Sequence, residues 1–234
     1  MSPAPADEHA YLFAHTRLPD FLAFMTGDTL DGPAADRARL ADDWRKAAAR
    51  FQELQQTEAG WADRPPVGPL PKSVEPLVRR VAGDPIFRRS FSAVPGEVGL
   101  VELDRLVASQ KSVNLTHVAR IKEQLGASPD LDAVFRTCLP FDHPTPPSRT
   151  GRVAKQSYVF ASDSNDLRFL DSLVLRPEQV ADYPTSGPLA GVVGVVVGYG
   201  SNYLNALALD GRLVLNNGFH RAYALRALGV THVP

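Results

Sequence analysis

Residues 213–229 carry the main fold signal and read LVLNNGFHRAYALRALG. The apolar run at their start is typical of a strand, and the polar pair before Gly218 is typical of a turn. The residues after the turn recur at helical spacing on one side, as Ala224, Leu225 and Leu228. The pattern predicts a strand, a glycine turn between Asn217 and Phe219, and a helix.

The start of this predicted helix has the properties of an anion site. Unpaired N–H groups and the positive end of the helix dipole point outward there, and Gly218 lets a ligand approach the backbone closely. His220 and Arg221 lie in the first turn, where two cationic side chains are unfavourable unless something negative is near. Two interpretations stay open: the turn holds a phosphate, or Arg221 pairs with an internal carboxylate in an ordinary strand-to-helix turn.

Composition limits the class of protein. The 234 residues are 44% hydrophobic and 22% charged, so the chain can bury a core and is not disordered throughout. The 25 basic and 26 acidic residues give a net charge of -1, which supplies no overall field for attracting nucleic acid. A single cysteine, Cys138, and the absence of zinc-type Cys/His spacing indicate a reducing compartment. Without a signal sequence or an apolar run near the roughly 20 residues of a spanning helix, we expect a cytoplasmic protein outside the membrane.

The predicted fold class is α+β. A helical N-terminal region covers residues 1–95, and a small mixed α/β domain covers 96–234 with a proline-rich insertion at 127–189. The N-terminal apolar spacing and capping residues predict helices over 19–25, 33–60, 75–81 and 85–91, the last capped by Asp84.

The α/β domain is predicted to open with a short strand around Val98–Leu103, followed by a loop and a helix capped by Asn114 and ended by Gly126. Four prolines within residues 139–148 exclude regular structure there. Later strands are predicted at 157–160 and 167–175, paired as a hairpin across 163–166; at 192–197, covered on both faces; and at 204–209 and 213–215, flanking Asp210-Gly211.

The turn Gly218-Phe219-His220-Arg221 and its alanine-rich helix resemble the ParB/sulfiredoxin superfamily, whose turn reads Gly-x-His-Arg or Gly-Glu-Arg-Arg. Residues 101–125 are similar to the opening strand, glutamine-containing loop and first helix of that superfamily. The resemblance covers residues 97–125 and 190–234. It implies a small α/β fold that binds a nucleotide, CTP or ATP, with Mg²⁺ accompanying the triphosphate. The implied contacts are Asn217, Gly218, Phe219, His220 and Arg221 on the turn, and Gln110 and Lys111 in the loop that closes the pocket.

Departures from the superfamily patterns narrow the activity. Sulfiredoxins place a reactive cysteine where Phe219 stands, so thiol-dependent sulfinic acid reduction is not expected. The chromosome-partition branch continues into helix-turn-helix segments, whereas this chain ends at Pro234, so we expect no DNA-reading segment. The dispersed basic residues predict no more than weak, non-specific DNA binding; the nearest approach to a patch, read as a solvated helical face, is Arg79, Arg80, Arg88 and Arg89.

A third branch of the superfamily contains small-molecule kinases in which a glutamate of the opening segment acts as base. Glu102 is the candidate by position, and on a strand Asp104 would share its face as a base-plus-metal pair. The alternative is that Glu102 faces solvent at a strand edge. No metal site is proposed from the scattered histidines.

Two functions follow from these patterns. The first is nucleotide binding, with NTPase or phosphotransferase activity left open. The second is a non-catalytic interaction module that keeps the fold, leaves the pocket unused and contacts a protein partner or a second copy. Phe219 separates them, because an inward ring over a closed turn favours the module, whereas an open cleft beside His220 favours the nucleotide.

Overall fold

The computed structural model describes residues 8–12, 16–27, 36–93, 95–143, 145–154, 157–164, 166–180 and 187–234. The fold is α+β, as predicted. The chain divides into two compact units: unit 1 contains residues 1–79, 96–139 and 203–234, and unit 2 contains 80–95 and 140–202. The predicted insertion, residues 127–189, does not coincide with unit 2, because residues 131–138 form a helix within unit 1. In the described part of the chain, no helix has both the length and the apolar character needed to cross a membrane.

The N-terminal helices agree with the capping signals. Helix α1 is Leu18–Gly27 and helix α2 is Arg37–Thr57. The Asp36 carboxylate caps α2 by accepting the N–H of Ala38 at 2.9 Å. The predicted start of α2 near Pro33 lies outside the described residues.

Helices α3, Glu75–Gly83, and α4, Pro85–Phe91, also match their predictions. Asp84 caps α4, since its Oδ1 accepts the N–H of Ile86 at 2.7 Å, and Pro85 occupies the first helical position, where no N–H is needed.

The N-terminal region was predicted to be helical, but strand β1, His9–Tyr11, lies within it. This strand pairs antiparallel with β4, Ser112–Asn114. One strand from each side of the predicted domain boundary therefore forms a two-stranded sheet. Three residues are too few for a period-two pattern, and the pairing depends on a partner a hundred residues away.

The strand expected around Val98–Leu103 is divided. Strand β2 is only Val101–Glu102; a 3₁₀ turn follows at Leu103–Arg105, and β3 is Leu106–Ala108. Strand β2 pairs with β11, His232–Val233.

The central sheet of unit 1 has the order β3, β10, β9. Strands β9, Asn205–Leu209, and β10, Arg212–Asn217, form the predicted hairpin across Asp210-Gly211. Strand β10 also pairs parallel with β3, which places the start of the last helix beside the loop after β3.

Three further helices of unit 1 contact one another through the last of them. They are α5, Leu115–Leu125; α6, Leu131–Cys138; and α7, Phe219–Ala227. Helix α5 begins at its predicted cap, where Asn114 Oδ1 accepts the His117 N–H at 2.8 Å. Val118 and Ile121 of α5 pack with Ala224 of α7 in a buried cluster.

Unit 2 carries two antiparallel ribbons. Strand β5, Ser148–Ala154, pairs with β6, Ser157–Ser162, and β7, Leu167–Leu175, pairs with β8, Val192–Tyr199. The predicted β6–β7 hairpin is therefore wrong in its pairing although both strands exist. The long β8 matches β7 in length and apolar character, and a strand's partner is chosen by such non-local packing.

The prediction that β8 is covered on both faces is also wrong. Val193 and Val195 are 75% and 61% exposed, whereas Val192, Gly194 and Val196 are more buried. Strand β8 thus alternates like a strand with one free face. The residues before β5 are irregular, as their prolines predicted.

Candidate functional site

The predicted turn forms where expected. Gly218 follows β10 with φ 95° and ψ 22°, a left-handed conformation that favours glycine, and α7 begins at Phe219. A Cβ at Gly218 would lie 2.9 Å from Leu204 Cγ and 3.1 Å from Leu204 Cα. Glycine is therefore required here for packing against Leu204, whereas the sequence suggested that it makes room for a ligand.

Asn217 closes the turn from both sides. Its Oδ1 accepts the Gly218 N–H at 2.9 Å, and its Nδ2 donates to the carbonyl oxygen of Tyr203 at 3.0 Å. Both polar ends of the amide are used within the fold, so Asn217 fixes the turn to the segment before β9.

Arg221 is buried, with 8% of the residue exposed. Its guanidinium donates to the carbonyl oxygens of Thr137 at 2.9 Å and Cys138 at 3.3 Å. These carbonyls end α6, where the helix dipole is negative and the last C=O groups lack intrahelical partners. The C-terminus of α6 is thus one negative group beside Arg221 in the folded chain.

His220 also binds within the fold. Its Nε2 accepts the backbone N–H of Asn114 at 3.0 Å, which requires this nitrogen to be unprotonated. Its ring meets the His117 ring edge-on, with centroids 5.1 Å apart. Burial, followed by the charges of His117, His9 and Arg221, lowers the pKa of His220. His220 therefore ties α7 to the start of α5 as a neutral imidazole.

A cavity of about 300 Å³ in unit 1, the α7 cavity, is lined by three predicted site residues, Gln110, Lys111 and Phe219. Strands β1, β3 and β10, helix α7 and the loop between β3 and β4 all contribute to its wall. Most of that wall is apolar, including Leu103, Leu106, Val113 and Leu215. The described lining includes none of the other predicted turn residues, which are Asn217, Gly218, His220 and Arg221. The structure thus separates the predicted site into a turn and a cavity.

Helix α7 supplies lining residues that sequence reasoning missed. Phe219, Ala222, Tyr223 and Arg226 are three or four positions apart and all line the α7 cavity. The helical spacing held this signal, because Phe219 was already a candidate and its i+3, i+4 and i+7 neighbours share its face. No comparable signal marked Leu12, which reaches the cavity from β1 and its continuation.

Glu102 and Asp104 do not share a strand face, so the predicted base-plus-metal pair is not formed. The 3₁₀ turn begins directly after Glu102 and breaks the strand alternation. The Glu102 carboxylate accepts from Arg105 at 3.0 Å, and Asp104 accepts from the guanidinium of Arg226. Each carboxylate has its own arginine partner.

Mg²⁺ that accompanies a nucleoside triphosphate stays a prediction, because one or two carboxylates and the phosphates are enough to hold it. In the part of the chain that the structure describes, no group of three or more His, Cys, Asp or Glu side chains could hold a metal ion. Mg²⁺ prefers oxygen ligands, and the two predicted carboxylates are held by arginines.

No family model, curated protein or solved structure matches this chain. The resemblance to the ParB/sulfiredoxin superfamily therefore depends on the residues of the turn, α7 and the opening segment, and its functional content enters only as a proposal.

Three of the four arginines considered as a basic patch have partners within their own units. Arg79 pairs with Glu75 at 2.7 Å, and Arg80 pairs with Asp142 at 3.1 Å. Arg88 donates to the carbonyl oxygen of Ala82 at 2.9 Å. These contacts offset the charge of Arg79 and Arg80, which favours the expected solvated helical surface over a phosphate-binding patch.

Proposed function

We propose that this chain is a non-catalytic ligand-binding domain with a ParB/sulfiredoxin-like fold, and that its ligand occupies the α7 cavity instead of the turn. The observation that carries this proposal is the buried guanidinium of Arg221, which is bonded to Thr137 and Cys138. A ligand phosphate at Arg221 would have to displace those bonds and remove a charged donor from the Thr137 and Cys138 carbonyls, which is costly; the Cys138 carbonyl would keep only the Leu204 N–H.

The other turn residues support the same conclusion. His220 Nε2 already accepts the Asn114 N–H, and Leu204 fills the space beside Gly218. The ion pairs of Glu102 and Asp104 with arginines argue against a carboxylate base in the opening segment.

The cavity itself has the properties of a small-molecule site. Its volume of about 300 Å³ is at the lower end of ligand pockets, and its wall is mainly apolar with few polar groups. Phe219 and Tyr223 supply aromatic surface on one helix face.

The neutral fluorescent probe aminoanthracene tests this proposal directly. Ala108 lines the cavity from an exposed position on β3, so Ala108→Phe fills the cavity with little effect on the core. Ala208→Phe is the matched control, because Ala208 is exposed on β9 and does not line the cavity. We expect the wild type and Ala208→Phe to bind the probe and Ala108→Phe to bind it at least tenfold more weakly. Equal binding by all three proteins, or none by the folded wild type, contradicts the proposal.

Nucleotide binding is a second candidate, favoured by the presence of Gln110, Lys111 and Phe219 on one cavity wall. In this version the base stacks in the cavity and the phosphates reach Lys111. Calorimetry with CTP, ATP, GTP and UTP, each with and without Mg²⁺, tests it. Binding lost in Lys111→Met but kept in Arg221→Lys would support the cavity version, and the reverse would return the phosphates to the turn.

A further inference from the structure

The polar groups around the α7 cavity differ in whether the fold already uses them. Gln110 Nε2 donates to the carbonyl oxygen of Ser112, and the Arg226 guanidinium is paired with Asp104. Lys111, in contrast, makes no ion pair with any residue that the structure describes. Among the described residues that line the cavity, Lys111 is therefore the positive charge without an ion pair, on a wall that is mainly apolar.

The backbone holds Lys111 in place at this wall. Its carbonyl oxygen accepts the Leu12 N–H at 2.7 Å, which continues the pairing of β1 with β4. Leu12 and Ser112, the neighbours of Lys111 in this pairing, also line the cavity. The lysine thus lies in the loop between β3 and β4, at a position whose backbone is bonded to the residue that follows β1.

The charge and volume select a class of ligand. One ammonium group matches one negative charge, whereas a nucleoside triphosphate brings about four charges to a wall whose described residues include one cation without an ion pair. An apolar body is needed to replace water along Leu106, Val113 and Leu215. A cavity of about 300 Å³ accommodates a body of roughly ten to fifteen heavy atoms.

We propose that the α7 cavity binds an apolar monocarboxylate, of medium chain length or with one aromatic ring, whose carboxylate pairs with Lys111. This inference rests on the proposed function, because it assigns a ligand class to the same cavity. The carboxylate lies at Lys111, and the apolar body extends toward Phe219 and Leu215.

Calorimetry with octanoate, octanol and octylamine separates the charge from the apolar body. We expect octanoate to bind the wild type about tenfold more tightly than octanol, the effect of one charge-assisted hydrogen bond at a partly exposed site. Octylamine should bind more weakly than octanol because its ammonium group is repelled by Lys111. Hexanoate, with two fewer methylenes, should bind roughly sixteenfold more weakly than octanoate.

Three lysine variants complete the test. Lys111→Met should bind octanoate and octanol equally, and Lys111→Arg should keep the preference for octanoate. Lys72→Met is the matched control, because Lys72 is exposed and does not line the cavity, and it should behave as the wild type.

The outcomes distinguish this inference from the proposed function. If the wild type binds octanol as tightly as octanoate and Ala108→Phe abolishes both, the cavity is a ligand site but the carboxylate inference is wrong. If neither octanoate nor aminoanthracene binds the folded wild type, both proposals fail. A preference for octanoate that persists in Lys111→Met also overturns the role of Lys111.

Discussion

The His220 imidazole accepts the backbone N–H of Asn114, the residue whose side chain caps α5. His220 of α7 thus accepts the backbone N–H of the cap residue of α5, which lies about a hundred residues earlier in the chain. The contact needs a neutral ring, so this part of the fold responds to pH.

Stability should fall as the pH drops below about 6.5, the ordinary pKa of histidine. The pKa of His220 is lowered in the folded protein, so between this lowered pKa and pH 6.5 the unfolded chain binds a proton more readily than the folded chain does. The contribution is complete above pH 6.5 and is lost as the pH falls toward the lowered pKa. Urea unfolding from pH 8 to pH 5 measures this slope. His220→Gln keeps an acceptor but does not titrate, so its slope should be smaller; an unchanged slope would show that His220 is not the cause.

Replacement of Arg221 by Met should lower the free energy of unfolding by about 2–3 kcal/mol, since it leaves the Thr137 and Cys138 carbonyls without their charged donor. Arg212→Met is the control, because Arg212 pairs with Asp63 at the surface, where both side chains are about half exposed. That pair should contribute less than about 1 kcal/mol. Unchanged stability in Arg221→Met would mean that the α6 contact is not maintained in solution.

Gly218→Ala should be more destabilising than Gly229→Ala. Both glycines have a positive φ, but a Cβ at Gly229 would meet no atom within 4 Å, whereas at Gly218 it meets Leu204. Conformational strain of about 1–2 kcal/mol applies to both, and overpacking adds about 1–3 kcal/mol at Gly218. Thermal unfolding measures the difference. Leu204→Ala in the Gly218→Ala background should recover only the part due to Leu204 Cγ, because the Cβ and Cα of residue 204 remain 3.0 and 3.1 Å from the added Cβ; additive losses would exclude the Cγ contact as a cause.

The Cys138 thiol should be unreactive in the folded protein. Burial raises the pKa of Cys138 to about 12, so almost no thiolate exists at pH 8. A chromogenic disulfide reagent should label Cys138 only as fast as the chain unfolds, and immediately in urea. Rapid labelling without denaturant would show that the end of α6 opens readily.

The helix ends were predictable from sequence because their hydrogen bonds are local. Asp84 and Asn114 each cap a helix through an N–H two or three residues away, a distance that sequence spacing encodes. The β6–β7 pairing was predicted wrongly because a strand's partner depends on packing between distant segments.

In the candidate site too, the local features could be predicted from the sequence and the contacts between distant segments could not. The turn at Gly218 and the helix after it were predicted, because a glycine between a strand and a helical period is a local signal. The partner of Arg221 lies more than eighty residues earlier, at the end of a helix that the sequence reading placed inside an insertion. Charge balance required a negative group near Arg221, but nothing in the sequence distinguished a ligand phosphate from helix carbonyls.

The chain leaves unit 1 after Leu139 and re-enters it at Tyr203, and next to these points the Leu204 N–H donates to the Cys138 carbonyl oxygen at 2.7 Å. The points at which the chain leaves and re-enters unit 1 are therefore adjacent, and we call the hydrogen-bonded pair Cys138 and Leu204 the clasp. Closing a loop across such a clasp costs entropy that grows only slowly with loop length. The clasp is consequently a position where chain length can change with little effect on the core of unit 1, and residues 140–202 can lengthen, shorten or be exchanged in evolution while the α7 cavity keeps its shape.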